Sequence, residues 1–381
     1  MAISNKEEKQ CVRCILSTND YPDLIFDETG LCNHCRSFDR AWAAIPKTKE
    51  ESQKLLKPVI DKIKSISRGK KYDCIIGVSG GVDSTYIALI TKQLGLNPLA
   101  VHFDNGWNSE LATINIEKIV STLDIDLITY VIDWEEFKAL QLAYLNASVI
   151  DIEVLTDHAI YGTMYKIAKE HDIKFIISGV NVATEYIGPI NAVFNKRDAV
   201  NIKAIYREYG TKKLKSYPFI DRKTKAFIKS SDIEIIRILN LIPFDLEHAK
   251  SEIQNKLGWR DYEGKHFESI FTRFYQGYIL PTKFGIDKRK WHLSNLICSG
   301  QITREEALLK LKEDYYPRAQ LQEDKEFVEK KLGLTSEEFD KLMKKPIREH
   351  HDFAFEGSFF SEYPVFKSLR PLWNMIRGKV A

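Results

Sequence analysis

Residues Cys74 to Leu94 constrain this chain more than any other stretch. A short apolar run (Cys74, Ile75, Ile76, Gly77, Val78) leads into Ser79-Gly80-Gly81-Val82-Asp83-Ser84, and a helical run from Thr85 to Leu94 follows. A buried strand, a glycine turn and a helix start, in that order, make a cradle for phosphate. Glycine lets the backbone approach an anion closely, and the N–H groups of a helix N-terminus point at it. Ser79, Gly80, Gly81, Val82, Asp83 and Ser84 are therefore the expected nucleotide loop. The two serines add hydroxyl donors, and Asp83 can hold a magnesium ion that neutralises phosphate charge. The G-x-x-x-x-G-K-[ST] spacing of a Walker loop is missing, so the cradle is of another kind. An ordinary strand-to-helix turn without a ligand is the plain alternative.

Around this loop, strands and helices alternate. Residues 72–78, 98–103, 126–132 and 174–179 read as strands, and 48–68, 84–95, 109–123, 134–146 and 154–171 as helices. This spacing predicts an α/β fold with a doubly wound parallel sheet. Ligands in such sheets bind at the carboxyl ends of the strands, near the point where strand order reverses. Two further strand ends then supply candidates: Asp104, in Asp104-Asn105-Gly106-Trp107, to meet the adenosine, and Gly179, Asn181 and Glu185 in Ser178–Glu185. A plain surface loop is the competing reading for Asn181 and Glu185. From about 221 the alternation stops, and 224–240, 245–257, 265–279, 287–298, 303–313 and 323–345 read as helices. The expected division is 1–45, 46–220 and 221–381. The aromatic tail Tyr363–Ile376 is expected to pack on the core, with docking to a partner as the alternative.

Cys11-Val12-Arg13-Cys14 and Cys32-Asn33-His34-Cys35 are two C-x-x-C knuckles separated by seventeen residues. Each knuckle points two thiolates at one ion, and the pair completes a tetrahedron. The spacing predicts an N-terminal zinc ribbon with Cys11, Cys14, Cys32 and Cys35 as ligands and His34 as a bystander. Four protein ligands leave no open position, so the zinc is expected to be structural. A redox pair is the rival, but a thioredoxin-type site has one C-x-x-C opening a helix. Cys74 and Cys298 read as core residues.

The polar start Met1–Gln10 has no apolar signal core, and no run approaches the length of a membrane span. The chain therefore reads as cytoplasmic, where six cysteines argue for metal ligation or burial over disulfides. The net charge of +3 does not demand nucleic acid. Basic residues cluster at 195–230 and 283–290, which suits a phosphorylated or acidic small substrate, an RNA, or simply a solvated face.

The six residues Ser79–Ser84 resemble the SGGxDS signature of the ATP pyrophosphatases (PP-loop enzymes), which cleave ATP between its α- and β-phosphates. That resemblance implies an adenine nucleotide α-hydrolase-like sheet, with ATP and Mg²⁺ as requirements. An acidic residue in the loop after the last strand often shares the magnesium in this superfamily. Glu185 occupies that position, in a loop similar to that of NAD synthetase. A narrower resemblance rests on Gly258–Ser269 and on Tyr278–Arg289. It extends to the opening Cys-x-x-Cys-x-x-Ser run with Tyr21-Pro22 and Phe26-Asp27, and to Asp157–Tyr165. These segments are similar to the N-acetyl sugar amidotransferases of bacterial surface-polysaccharide pathways.

The implied chemistry adenylates the N-acetyl carbonyl oxygen of a sugar, after which ammonia displaces AMP and leaves an acetamidino group. Asp83, Ser84, Glu185 and His266 are the expected catalytic residues, with His266 able to take a proton from incoming ammonia or to be a structural histidine. Arg260, Lys265, His266, Arg273, Lys288 and Arg289 are expected to hold an anionic sugar. Neither Cys74 nor Cys298 sits in a glutaminase elbow, and Met1 is followed by Ala2, so a separate glutaminase subunit is expected to supply ammonia. The alternative is a PP-loop tRNA-modifying enzyme such as a thiolase, and a non-catalytic zinc-ribbon protein is a third reading.

Overall fold

The structure, a computed structural model, describes residues 8–21, 24–188, 193–262, 264, 266–314 and 317–357. In chain order, α1 (Asn33–Trp42) and α2 (Lys49–Ile66) precede β1 (Cys74–Gly77). Next come α3 (Val82–Gln93), β2 (Pro98–Asp104), α4 (Glu110–Leu123), β3 (Leu127–Val131), α5 (Trp134–Ala147), α6 (Val154–Glu170) and β4 (Phe175–Ser178). They are followed by α7 (Val182–Glu185), α8 (Ala199–Tyr209), α9 (Arg222–Ser230) and β5 (Glu234–Arg237). The remainder is helical: α10 (Leu246–Leu257), α11 (Ile270–Phe274), α12 (Lys288–Cys298), α13 (Arg304–Lys312), α14 (Arg318–Leu332) and α15 (Ser336–Lys344).

The five strands are all parallel, in the order β3-β2-β1-β4-β5. The chain winds outward from β1 through β2 to β3, then returns to the other side of β1 for β4 and β5. The reversal lies between β1 and β4, whose carboxyl ends are Gly77 and Ser178. β1 is buried on both faces, which explains its unbroken apolar run. Ile76 faces a core built with α2, α3, α4 and α10, while Ile75 faces one built around α6. Burying each such side chain contributes roughly 1.5–3 kcal/mol. A separate helical core joins α5, α8, the segment after α11, α14 and α15. None of the helices among the described residues is long and apolar enough to cross a membrane.

The α/β class, the first four strands and the helices between them agree with the sequence expectation. Three helical expectations do not hold. Residues 224–240 are α9, then β5, then a 3-10 turn Ile238–Leu241. Asp232 adopts φ +53 and ends the helix. The β-branched Ile233, Ile235 and Ile236 favour extended chain, and β5 pairs with β4 from Phe175↔Glu234 to Ser178↔Arg237. Residues 265–279 hold α11, which passes into a π-helical stretch Tyr275–Phe284 containing Pro281. Proline has no N–H to give to a regular helical turn, and the coil widens there. The segment 323–345 divides at Gly333 (φ +71), after which Thr335 and Glu338 form a capping box for α15. The tail Tyr363–Ile376 lies outside the described residues.

Candidate functional site

The phosphate loop sits where the sheet reverses. Val78 N–H bonds to Val101 O at 2.9 Å, and the chain then turns away at Gly80, whose φ is +83. A Cβ on Gly80 would lie 2.8 Å from Tyr262 Oη and 2.9 Å from Ala112 O, so only glycine fits. Gly81 opens α3 in extended conformation and provides no side-chain cap. With no such cap, the N-terminus of α3 can present its first turn to an anion. The serines brace the turn: Ser79 N–H donates to Ser84 Oγ (3.2 Å), Gly81 N–H to Ser79 Oγ (3.3 Å), and Ser84 Oγ–H to Gly81 O (3.1 Å).

Two donors from the C-terminal region close on the same loop. Trp259 Nε1–H and Tyr262 Oη–H both donate to Gly80 O, at 2.7 and 3.0 Å. Burial raises the Tyr262 phenol above its usual range, which keeps it a donor. Glu268 leans on the loop as well, with Oε1 3.0 Å from where a Gly81 Cβ would be.

In front of the loop lies a cavity of about 700 Å³ between the ends of β1 and β4. Asp83, Asp157, Glu185, Lys196, His266 and Glu268 line it together with Ser79, Gly81, Val82, Ser84 and Gly179. A second lobe of about 350 Å³ shares Ser79, Ser84, Asp157 and His266 and adds Glu153, Gln276 and Lys288. A third, of about 330 Å³, is lined by Glu185, His266, Lys288, Arg289 and His292. His266 borders all three, in a left-handed conformation (φ +64), with Nδ1 3.7 Å from Glu268 Oε1. Strained backbone of this kind costs on the order of 1 kcal/mol and persists where the surroundings impose it.

Charges in the cavity are paired. Lys196 Nζ lies 2.8 Å from Asp151 Oδ2 and 3.0 Å from Asp157 Oδ2. Burial works against its ammonium, but Asp157 and Asp151 outweigh it and raise the pKa. Glu153 accepts from Gln276 Nε2 (3.0 Å) and Lys288 Nζ (3.4 Å). Burial would raise its pKa, yet Lys288, Lys196 and His266 hold it below the usual range.

Gly80, whose carbonyl is taken by Trp259 and Tyr262, does not line the cavity, and the other expected nucleotide and magnesium residues line it with two exceptions. Asp104 is spent on its own turn, accepting from Gly106 N–H (2.8 Å) and Asn108 Nδ2 (3.2 Å), and does not line the cavity. Asn181 is buried and caps α7, with Oδ1 accepting from Thr184 N–H (2.9 Å) and Nδ2 donating to Gly179 O (3.1 Å). It shapes the loop that presents Glu185. Asp83 and Glu185 supply hard oxygen donors to one cavity, which fits a magnesium ion.

The expected substrate cations separate. Lys288 faces two lobes, and Arg289 borders the third while bound to Asp287 (2.7 Å) and Glu313 O (2.8 Å). Arg260 is exposed and lines none of these lobes. Arg273 is a structural residue: it forks onto Asp324 at 2.6 and 2.6 Å, joining α11 to α14. Lys265 lies outside the described residues. Trp259, Tyr262, Glu268, Glu153 and Lys196 were not expected from sequence. The first three fall inside Gly258–Ser269, a segment singled out for its family resemblance, in which only Arg260, Lys265 and His266 are expected site residues. Lys196 lies in the basic cluster, but nothing in the sequence pairs it with Asp151 and Asp157.

The four knuckle cysteines meet on the far side of α7 and α12. Their sulfurs are buried and all within 4.8 Å of one another. Cys35 N–H donates to Cys32 Sγ and Cys32 N–H to Cys11 Sγ, both at 3.4 Å, as knuckle backbones do around a metal thiolate. Residues Phe26–Cys32, ahead of the second knuckle, form a short hairpin closed by an antiparallel bridge Phe26↔Cys32. Four soft sulfur donors in a closed set can hold zinc. His34 is wedged between Tyr21 (5.4 Å) and Trp291 (5.7 Å) outside the cysteine set. The module docks through Ser37–Tyr186 (2.9 Å) and through Arg13, which donates to Cys298 O (2.9 Å).

Residues 268–370 match the family described as "LPS biosynthesis protein WbpG-like, C-terminal domain". The chain is 24% identical over 200 residues to the uncharacterized protein MJ1016 of Methanocaldococcus jannaschii, covering 49% of this chain and 63% of that protein. It is 47% identical over 68 residues to a GMP synthase [glutamine-hydrolyzing] of Dictyostelium discoideum, covering 17% of this chain and 9% of that one. The chain thus spans less than two thirds of each of these relatives. Similar solved structures include NMN synthetase from Francisella tularensis (21% identity, 35% of this chain, 55% of that chain, TM-score 0.29). Another is NH3-dependent NAD synthetase from Campylobacter jejuni (15% identity, 54% and 93%, TM-score 0.28). These superpositions are too loose to bear on activity, and the fold rests on the strand order described above.

Proposed function

We propose that this chain is the ATP-using synthetase component of an amidotransferase that turns the N-acetyl group of a sugar into an acetamidino group. One observation carries the reading: an uncapped helix N-terminus, two serines and two carboxylates face one cavity, which Glu268, the first residue of the WbpG-like match, also lines. The name of that family points to lipopolysaccharide, and hence to a sugar acceptor.

The carbonyl oxygen of the N-acetyl group attacks the α-phosphorus of ATP, pyrophosphate leaves, and an O-adenylated imidate forms. Ammonia then adds to the imidate carbon and AMP departs with the oxygen. Amide oxygen is a poor leaving group, so adenylation makes it displaceable. The α3 amides with Ser79 and Ser84 bind phosphate, and Asp83 and Glu185 hold magnesium, which supplies charge neutralisation when bound. Lys196 adds a fixed cation to the nucleotide cavity beside Asp157, which the second lobe shares. That lobe, with Lys288, Gln276 and Glu153, receives the sugar. His266, at the junction, takes the proton from incoming ammonia.

A separate glutaminase supplies the ammonia, and the protein works in the cytoplasm. The tRNA-thiolation alternative is disfavoured by Cys74, which is fully buried in β1 with a thiol pKa raised by burial. Incubation with ATP, Mg²⁺, ammonium and a UDP-linked diacetamido sugar tests the reading. It predicts AMP, pyrophosphate and a sugar in which oxygen is replaced by NH. AMP release with tRNA but with no such sugar would sink it.

A further inference from the structure

The zinc centre has a fifth sulfur. Cys298 Sγ lies 3.6 Å from Cys35 Sγ, as close as the sulfurs of the knuckle set lie to one another (3.7 and 3.8 Å). Cys298 comes from the last turn of α12, more than 260 residues away in sequence, and is 4% exposed against 0% for Cys35. Its backbone is held as well, since Arg13 of the first knuckle donates to Cys298 O at 2.9 Å while pairing with Asp39 at 2.6 Å. Two atoms of Cys298 therefore address the metal module, its sulfur at the second knuckle and its carbonyl at the first.

A metal thiolate has lone pairs to spare, and a buried thiol has one proton to give. We propose that Cys298 is an outer ligand of the zinc centre, donating its S–H to the Cys35 thiolate without binding the metal. Such outer-shell donors orient ligands and tune how tightly the metal is held. The bond makes α12 a limb of the metal site. The opposite end of α12 carries Lys288, which pairs with Glu153 in the second lobe, and its Asn295 holds Ile187, two residues beyond Glu185, through both N–H and C=O (2.7 and 2.8 Å). Zinc, the acceptor lobe and the Glu185 loop thus share one helix. The inference stands whatever acceptor the cavity takes.

Zinc retention in the full-length protein tests it. Cys298→Val keeps an apolar residue of similar size and removes the proton, whereas Cys298→Ser keeps a donor. The Val variant should surrender zinc to a chromophoric chelator about ten- to a hundredfold faster than the parent, with the Ser variant close to the parent. In Co²⁺-loaded protein the thiolate-to-metal charge-transfer band should move in Val and stay in Ser. If Val misfolds, Cys298→Ala takes its place in both measurements. Parental zinc release and an unshifted cobalt spectrum in the folded Val or Ala variant would overturn the assignment.

Discussion

Trp259 Nε1–H and Gly80 O meet at 2.7 Å, joining the phosphate loop to a residue 179 positions later in the chain. With Tyr262 on the same carbonyl, the Gly80 peptide cannot rotate without breaking two bonds. On the proposed function, a loop held this way is preorganised before ATP arrives.

Trp259→Phe keeps a buried ring and removes the donor. Stability should fall by about 1 kcal/mol, since Tyr262 still serves the carbonyl. The double variant with Tyr262→Phe should raise the KM for ATP well beyond either single change. An unaltered KM in the double variant would show that the fastening is only architectural.

Asp83→Asn and Glu185→Gln should each cut AMP formation by at least about a hundredfold while the circular dichroism spectrum is unchanged. Both side chains face the same cavity. AMP formation at the parental rate in Asp83→Asn would remove it from the magnesium site.

Arg273 and Asp324 form a buried pair with side chains 15% and 4% exposed. Arg273→Ala should cost roughly 3–5 kcal/mol in urea unfolding, because Asp324 is left buried without its partner. The KM for the sugar should not move in protein that remains folded. A KM effect without a stability loss would restore Arg273 as a substrate residue.

Two buried histidines should make the fold acid-sensitive. His158 accepts from Ile220 N–H at Nε2 (2.8 Å) and donates from Nδ1 to Lys196 O (2.9 Å), so it has no room for a second proton. Burial lowers its pKa to about 4, and that of His350 to about 3. Unfolded chain binds the proton first, so stability is full above the unfolded value and is lost as pH falls toward the folded ones. Each histidine should remove about 2 kcal/mol between about pH 7 and about pH 5. Urea midpoints that stay flat across this window would contradict the neutral assignment.

Cys32→Ser should abolish zinc binding, measured by atomic emission, and lower the melting temperature. The cysteine set is a major part of the small core that packs the module on α12. Full activity in zinc-free protein would remove the metal from the architecture of the site.

The sheet was legible where burial on both faces leaves an unbroken apolar run, as in β1 and β4. β5 was not, because as an edge strand it mixes Glu234 and Arg237 with Ile235 and Ile236 and follows a helix directly. The loop, Asp83, Glu185 and the cysteines could be read because their chemistry depends on spacing along the chain. Trp259, Glu268 and Lys196 act through contacts with distant segments, and no local pattern announces those. Arginines misled for the same reason: a guanidinium serves Asp324 as readily as a sugar phosphate.

β5 also has a consequence for synthesis of the chain. Until about sixty further residues have followed β4 out of the ribosome, β4 is itself an edge, with Ile176 and Ile177 unpaired on one side. At ordinary elongation speeds that interval lasts roughly 3–12 seconds. A nascent chain stalled there presents an open apolar strand, so slow codons between α7 and α9 should favour aggregation, and chaperone capture should peak over the same stretch.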